Sequence, residues 1–84
     1  MKYKIEIERN ALKILQKIPG KDRNKIIDVI EHLAINPRPV GAKKLTGRDG
    51  WRIRIGNYRI IYEIRDQICY ILVLNIGHRK EIYR

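Results

Sequence analysis

The sequence predicts an α+β domain of order β-α-α-β-β-β, with a helix hairpin packed on one face of a small, mostly antiparallel sheet. Three observations lead there. Residues alternate at the start of the chain, apolar residues fall at helical spacing from Ala11 to Ala34, and three strand-like runs crowd together after Gly50. At 84 residues the chain is one domain, residues 1–84.

Tyr3, Ile5 and Ile7 alternate with Lys4 and Glu6, the period of a half-buried strand. The period then changes, and Ala11, Leu12, Leu15 and Ile18 form one helical stripe with Arg9, Lys13, Gln16 and Lys17 on the wet side. Pro19-Gly20 ends that helix. Asp22 is the expected cap of a second helix, whose stripe is Ile26, Ile27, Val29, Ile30, Leu33 and Ala34. Asn36-Pro37 closes it, because a residue before proline avoids the α region. The next stretch is a loop rich in Pro, Gly and Lys, in which "AKKLTG" holds a short extended piece that docks Leu45.

Trp51 to Ile55 and Tyr58 to Ile64 both alternate, and Gly56-Asn57 between them is a two-residue hairpin turn. Arg65-Asp66-Gln67 turns the chain into Ile68 to Ile76, a nearly continuous apolar run expected of a central strand covered on both faces. Cys69 lies in that run as a small buried hydrophobe. A lone thiol and a start with no signal-peptide pattern suggest a cytoplasmic protein, and no run approaches the roughly 20 apolar residues that span a bilayer.

Hydrophobic residues make up 44% of the chain, enough for a compact core. Lys and Arg total 19 against 9 Asp and Glu, a net charge of +10 that favours a polyanionic partner, nucleic acid first. Lysines that merely solvate helices account for Lys2, Lys13, Lys17 and Lys25, but not for arginines set between Ile and Tyr in strands.

The hairpin turn sets a register in which Ile55 faces Tyr58, Arg54 faces Arg59, Ile53 faces Ile60, Arg52 faces Ile61 and Trp51 faces Tyr62. One side then carries Trp51, Ile53, Ile55, Tyr58, Ile60 and Tyr62, and the other carries Arg52, Arg54, Arg59, Ile61 and Glu63. Like charges directly opposite cost roughly 0.2–1 kcal/mol. Guanidinium forks bind phosphate bidentately and keep their charge, so the arginines suit a phosphate at some cost to the sheet. The competing reading has Glu63 and Asp49 offset them as surface pairs. The tail adds His78, Arg79, Tyr83 and Arg84, a set fit for proton transfer and base stacking.

The chain has no HxxxH or HExxH, no Walker loop, no GxGxxG and no zinc-spaced Cys/His cluster, and its carboxylates are scattered. Cleavage of nucleic acid would therefore proceed without a metal or other cofactor. RNA allows this, because its 2′-OH attacks the adjacent phosphate.

"KKLTG", then "GWRIRIGNYRIIYEI", then "ILVLNIGHRKEIYR" together resemble the RelE/ParE superfamily of toxins from type II toxin–antitoxin pairs, over nearly the whole chain. The resemblance implies a metal-independent endoribonuclease that cuts mRNA in the A site of the 70S ribosome. It also implies a cognate RelB-like antitoxin as partner, operator DNA bound through that antitoxin, and no membrane. By position it implies phosphate-handling roles for Arg52, Arg54 and Arg59, a transition-state and leaving-group role for Arg79, and stacking by Tyr83. Lys43, Lys44, Arg48 and Arg84 are expected to bind RNA. Some members carry lysines where this chain has Arg52 and Arg54. Arginine stays protonated, so the expected base is His78, and electrostatic activation by the arginines is the alternative. A DNA gyrase inhibitor of ParE type, without nuclease chemistry, and an inactive nucleic-acid-binding homologue are the competing functions.

Overall fold

A computed structural model describes residues 2–78. Strand β1 (Lys4–Ile7) leads into helices α1 (Arg9–Lys17) and α2 (Gly20–Leu33), followed by β2 (Lys43–Lys44), β3 (Trp51–Ile55), β4 (Tyr58–Arg65), a 3-10 turn (Asp66–Ile68) and β5 (Tyr70–His78). The five strands lie in the order β1-β5-β4-β3-β2. β1 runs parallel to β5, and the remaining pairs are antiparallel.

Both helices cover one sheet face. Ala11, Leu15, Ile18, Ile26, Ile30 and Leu33 meet Ile53, Ile60, Tyr62, Ile71, Val73 and Ile76 in one buried cluster. Leu12, expected in the stripe of α1, is instead 40% exposed. α2 begins at Gly20 with Pro19 in the cap position, three residues before the expected Asp22 cap. Proline suits that position because its missing N–H would have no helical partner there. Asp22 sits in the first turn, where its charge favours the positive end of the helix dipole.

The β3–β4 register is the expected one at all five pairs. Only Gly56 takes a positive φ, +59°, so the turn has the pattern of type II′. Leu45 docks as expected. Its N–H donates to the Gly50 carbonyl at 3.0 Å, and a Cβ on Gly50 would stand 3.1 Å from Leu45 Cδ1 at a φ of +137°. Glycine is required at Gly50 for both reasons.

The long apolar run divides differently from expectation. Ile68 ends the 3-10 turn and is 66% exposed. Cys69 precedes the strand in a left-handed conformation, φ +49°, and is half-buried. Within β5, Ile61 pairs with Asn75 and Tyr62 with Val73, so Leu74 is an extra, bulged residue. The bulge resets the alternation, and this is why the core residues Ile71, Val73 and Ile76 are spaced two and then three apart. The face away from the helices is only partly covered, with Leu72 and Leu74 half-buried and Asn75 exposed.

The loop after α2 is pinned at several points. The Tyr62 hydroxyl donates to the Pro37 carbonyl at 2.8 Å, and burial pushes that phenol up to about 12. Arg38 forks onto Asp66 at 2.7 and 3.3 Å, and the Tyr3 hydroxyl donates to the same carboxylate at 2.6 Å. The Arg38 guanidinium also lies 5.3 Å from the centre of the Trp51 ring. The Arg38 hydrogen bond, then that from Tyr3, holds the Asp66 carboxyl below its ordinary value. A carboxyl depressed in the folded state adds stability above its unfolded pKa of about 3.9, and that stability is lost as pH falls through the lower folded value. Thermal midpoints are therefore expected to separate wild type from Asp66→Asn at pH 6, with the gap closing below about pH 4.

Candidate nucleic-acid interface

The face away from the helices is built by strand alternation. Register places Lys43 of β2 opposite Arg52 of β3, and Arg54 of β3 opposite Arg59 of β4. Arg59 is in turn opposite Gly77 of β5. Directly paired residues share a face, and residues two apart along a strand share it too. Lys43, Arg52, Arg54 and Arg59 therefore form one basic stripe across three strands. A two-residue turn makes Ile55–Tyr58 the hydrogen-bonded pair. Arg54–Arg59 is then the closer, non-hydrogen-bonded kind, with Cα atoms about 4.5 Å apart.

The stripe holds two like-charge cross-strand pairs, each unfavourable by roughly 0.2–1 kcal/mol. Of the two carboxylates in the competing reading, Glu63 lies further along β4 and pairs with Arg65 at 3.1 Å. Among the described residues no carboxylate pairs with Arg52.

The four cations differ in setting. Lys43 and Arg54 are exposed and Arg52 is half-buried. Arg59 is only 2% exposed, an arginine within the sheet rather than on an open surface as expected. Arginine keeps its charge when buried. Attraction between charges rises as the dielectric falls, so a guanidinium held there acts strongly on an arriving anion. Beside the stripe, past the two-residue β2, lies a hollow of about 300 Å³ lined by Val40, Gly41, Lys43, Arg52, Ile53 and Arg54. A larger hollow of about 650 Å³ lies between β1 and α2, but its walls are mostly apolar, with Ile5, Ile7, Ile27, Ile30 and Ile35. It offers a phosphodiester little to bind.

Three of the expected site residues, Arg52, Arg54 and Arg59, come together. His78 does not join them. It pairs with Tyr58 on the helix side of the sheet, their ring centres 5.4 Å apart and nearly perpendicular. Its neighbour Gly77 takes the position on the arginine face, and one step along a strand reverses the side. For the same reason Lys44, opposite Trp51, leaves the face that Lys43 occupies. Arg48 is exposed in the loop between β2 and β3. Arg79, Tyr83 and Arg84 lie outside the described residues. Sequence reasoning did not pair Lys43 with Arg52, because a two-residue strand carries no periodic signal. The one cue was "KK" directly after a glycine-containing bend.

Residues 5–83 match the profile of the ParE toxin of the type II toxin-antitoxin system parDE. Toxin RelE3 of Methanocaldococcus jannaschii is 36% identical over 95% of this chain and 94% of its own length. The archaeal RelE–RelB complex from Pyrococcus horikoshii superposes with a TM-score of 0.81 at 27% identity, covering 94% of this chain and 97% of that one. The RelB–RelE antitoxin–toxin complex from Methanococcus jannaschii does so with a TM-score of 0.71 at 32% identity, covering 92% and 93%.

Proposed function

The chain belongs to the RelE/ParE superfamily of toxins from type II toxin–antitoxin systems, and from that premise we propose that it is a ribosome-dependent endoribonuclease that cuts mRNA without a metal. The observation that carries this reading is the Arg54–Arg59 pair, with Arg52 beside it on the same face. Two guanidinium groups paired across neighbouring strands suit the extra negative charge of a phosphodiester in its transition state.

The RNA supplies the nucleophile. Its 2′-oxygen bonds to phosphorus, the bond from phosphorus to the 5′-oxygen breaks, and a 2′,3′-cyclic phosphate and a 5′-hydroxyl result. With His78 turned to the other face, the arginines activate the 2′-hydroxyl by charge. Its proton passes to water, and the departing oxygen takes one up. By family resemblance Arg79 stands at the leaving oxygen and Tyr83 stacks on the base. The enzyme works in the cytoplasm, where ribosomes are. Its partner is an antitoxin of the RelB kind, as in the solved relatives. A net charge of +10 favours an acidic segment of that partner.

The matched profile bears the ParE name, which keeps gyrase inhibition as a second reading. Purified protein added to ribosomes programmed with a defined mRNA decides between them. Cutting within the A-site codon is expected, with 2′,3′-cyclic phosphate ends, and a 2′-deoxynucleotide at the cut position abolishes it. Intact mRNA together with blocked supercoiling by purified gyrase would establish the second reading.

A further inference from the structure

The basic stripe contains two pairs, and one phosphate needs only one of them. Arg52 and Arg54 lie two residues apart on β3, a separation of about 6.7 Å along the strand. That is close to the distance between successive phosphates in an extended nucleic-acid strand. The Lys43–Arg52 pair therefore stands one nucleotide step from the Arg54–Arg59 pair. Beside it the hollow at the β3 edge has three cations and, among the described residues, no carboxylate in its wall. Its remaining surface includes Val40, whose side chain is fully exposed. Cations at one end and an apolar patch at the other suit a nucleotide, phosphate inward and base on the patch.

We propose that Lys43 and Arg52 form a second phosphate site that holds the phosphate adjoining the cleaved one, with its nucleotide lying in the hollow against Val40. This rests on the ribonuclease reading above in taking single-stranded RNA as the ligand. The protein then grips two successive phosphates, which fixes the cleaved bond in register.

The test is binding of short oligoribonucleotides blocked at the cut position by a 2′-O-methyl group. Three versions are compared: the parent, and two in which the phosphate on the 5′ or the 3′ side of the cut is a neutral methylphosphonate. With the parent, Lys43→Ala is expected to weaken binding about two- to fivefold and to lower the salt slope by about 0.7. Lys43→Arg restores both, and the distant Lys25→Ala changes neither. With one of the two methylphosphonates, wild type and Lys43→Ala bind alike. The inference is overturned if Lys43→Ala binds the parent like wild type, or if its deficit is the same with all three oligonucleotides. Because nothing is cleaved, failure of the ribonuclease reading is separable. Phosphate-specific coupling alongside intact mRNA on ribosomes would defeat that reading and leave this site standing.

Discussion

Arg59→Ala is expected to lower cleavage on programmed ribosomes about 10²- to 10³-fold, the loss seen when one fixed donor to transition-state charge is removed. Arg59 is the least exposed of the four cations of the stripe, and its position opposite both Arg54 and Gly77 is set by three paired strands. A preorganised, desolvated charge needs no rearrangement as the reaction proceeds, so its removal falls on the rate. Arg59→Lys keeps a charge but loses the planar fork, and an intermediate loss is expected. His78→Gln, on the opposite face, is expected to leave cutting largely intact. Thermal midpoints of the variants separate a lost charge from a lost fold.

Ile71→Ala is expected to cost about 2–5 kcal/mol, a large part of the roughly 4–13 kcal/mol available to a chain of this size. Ile71 is fully buried, and register places it between Ile5 of β1 and Ile64 of β4. Removing its side chain opens a cavity where the parallel and antiparallel halves of the sheet meet. Urea unfolding checks this, with a lower midpoint and an unchanged slope. Ile68→Ala lies in the same apolar run of sequence but outside the strand, and is expected to stay within about 0.5 kcal/mol of wild type.

These two isoleucines show how far the sequence could be read. The hairpin was legible to the residue because a two-residue turn leaves one register, and alternation then assigns every side chain a face. The helices were legible from their spacing, although Pro19 rather than Asp22 begins the second. Strand order was not legible: local periodicity says nothing about which strands pair across the chain, as β1 and β5 do. The run from Ile68 to Ile76 hid both a left-handed Cys69 and the bulge at Leu74, since hydrophobicity alone registers neither. That unseen bulge and the true span of β5 are also what place Gly77 beside Arg59 and turn His78 to the helix side. The two-residue β2 was too short to announce itself, and with it went the pairing of Lys43 with Arg52.

The proposed ribonuclease function requires the arginine face to receive an RNA phosphodiester. The most direct measurement is an NMR titration of guanidinium Nε–Hε signals with a trinucleotide blocked at its cut position by 2′-O-methylation. The signals of Arg52, Arg54 and Arg59 are expected to shift together, while those of Arg23 and Arg38 stay in place. Unmoved arginine signals, with the changes gathered instead around Ile27, Glu31 and Ile35 in the hollow between β1 and α2, would contradict it.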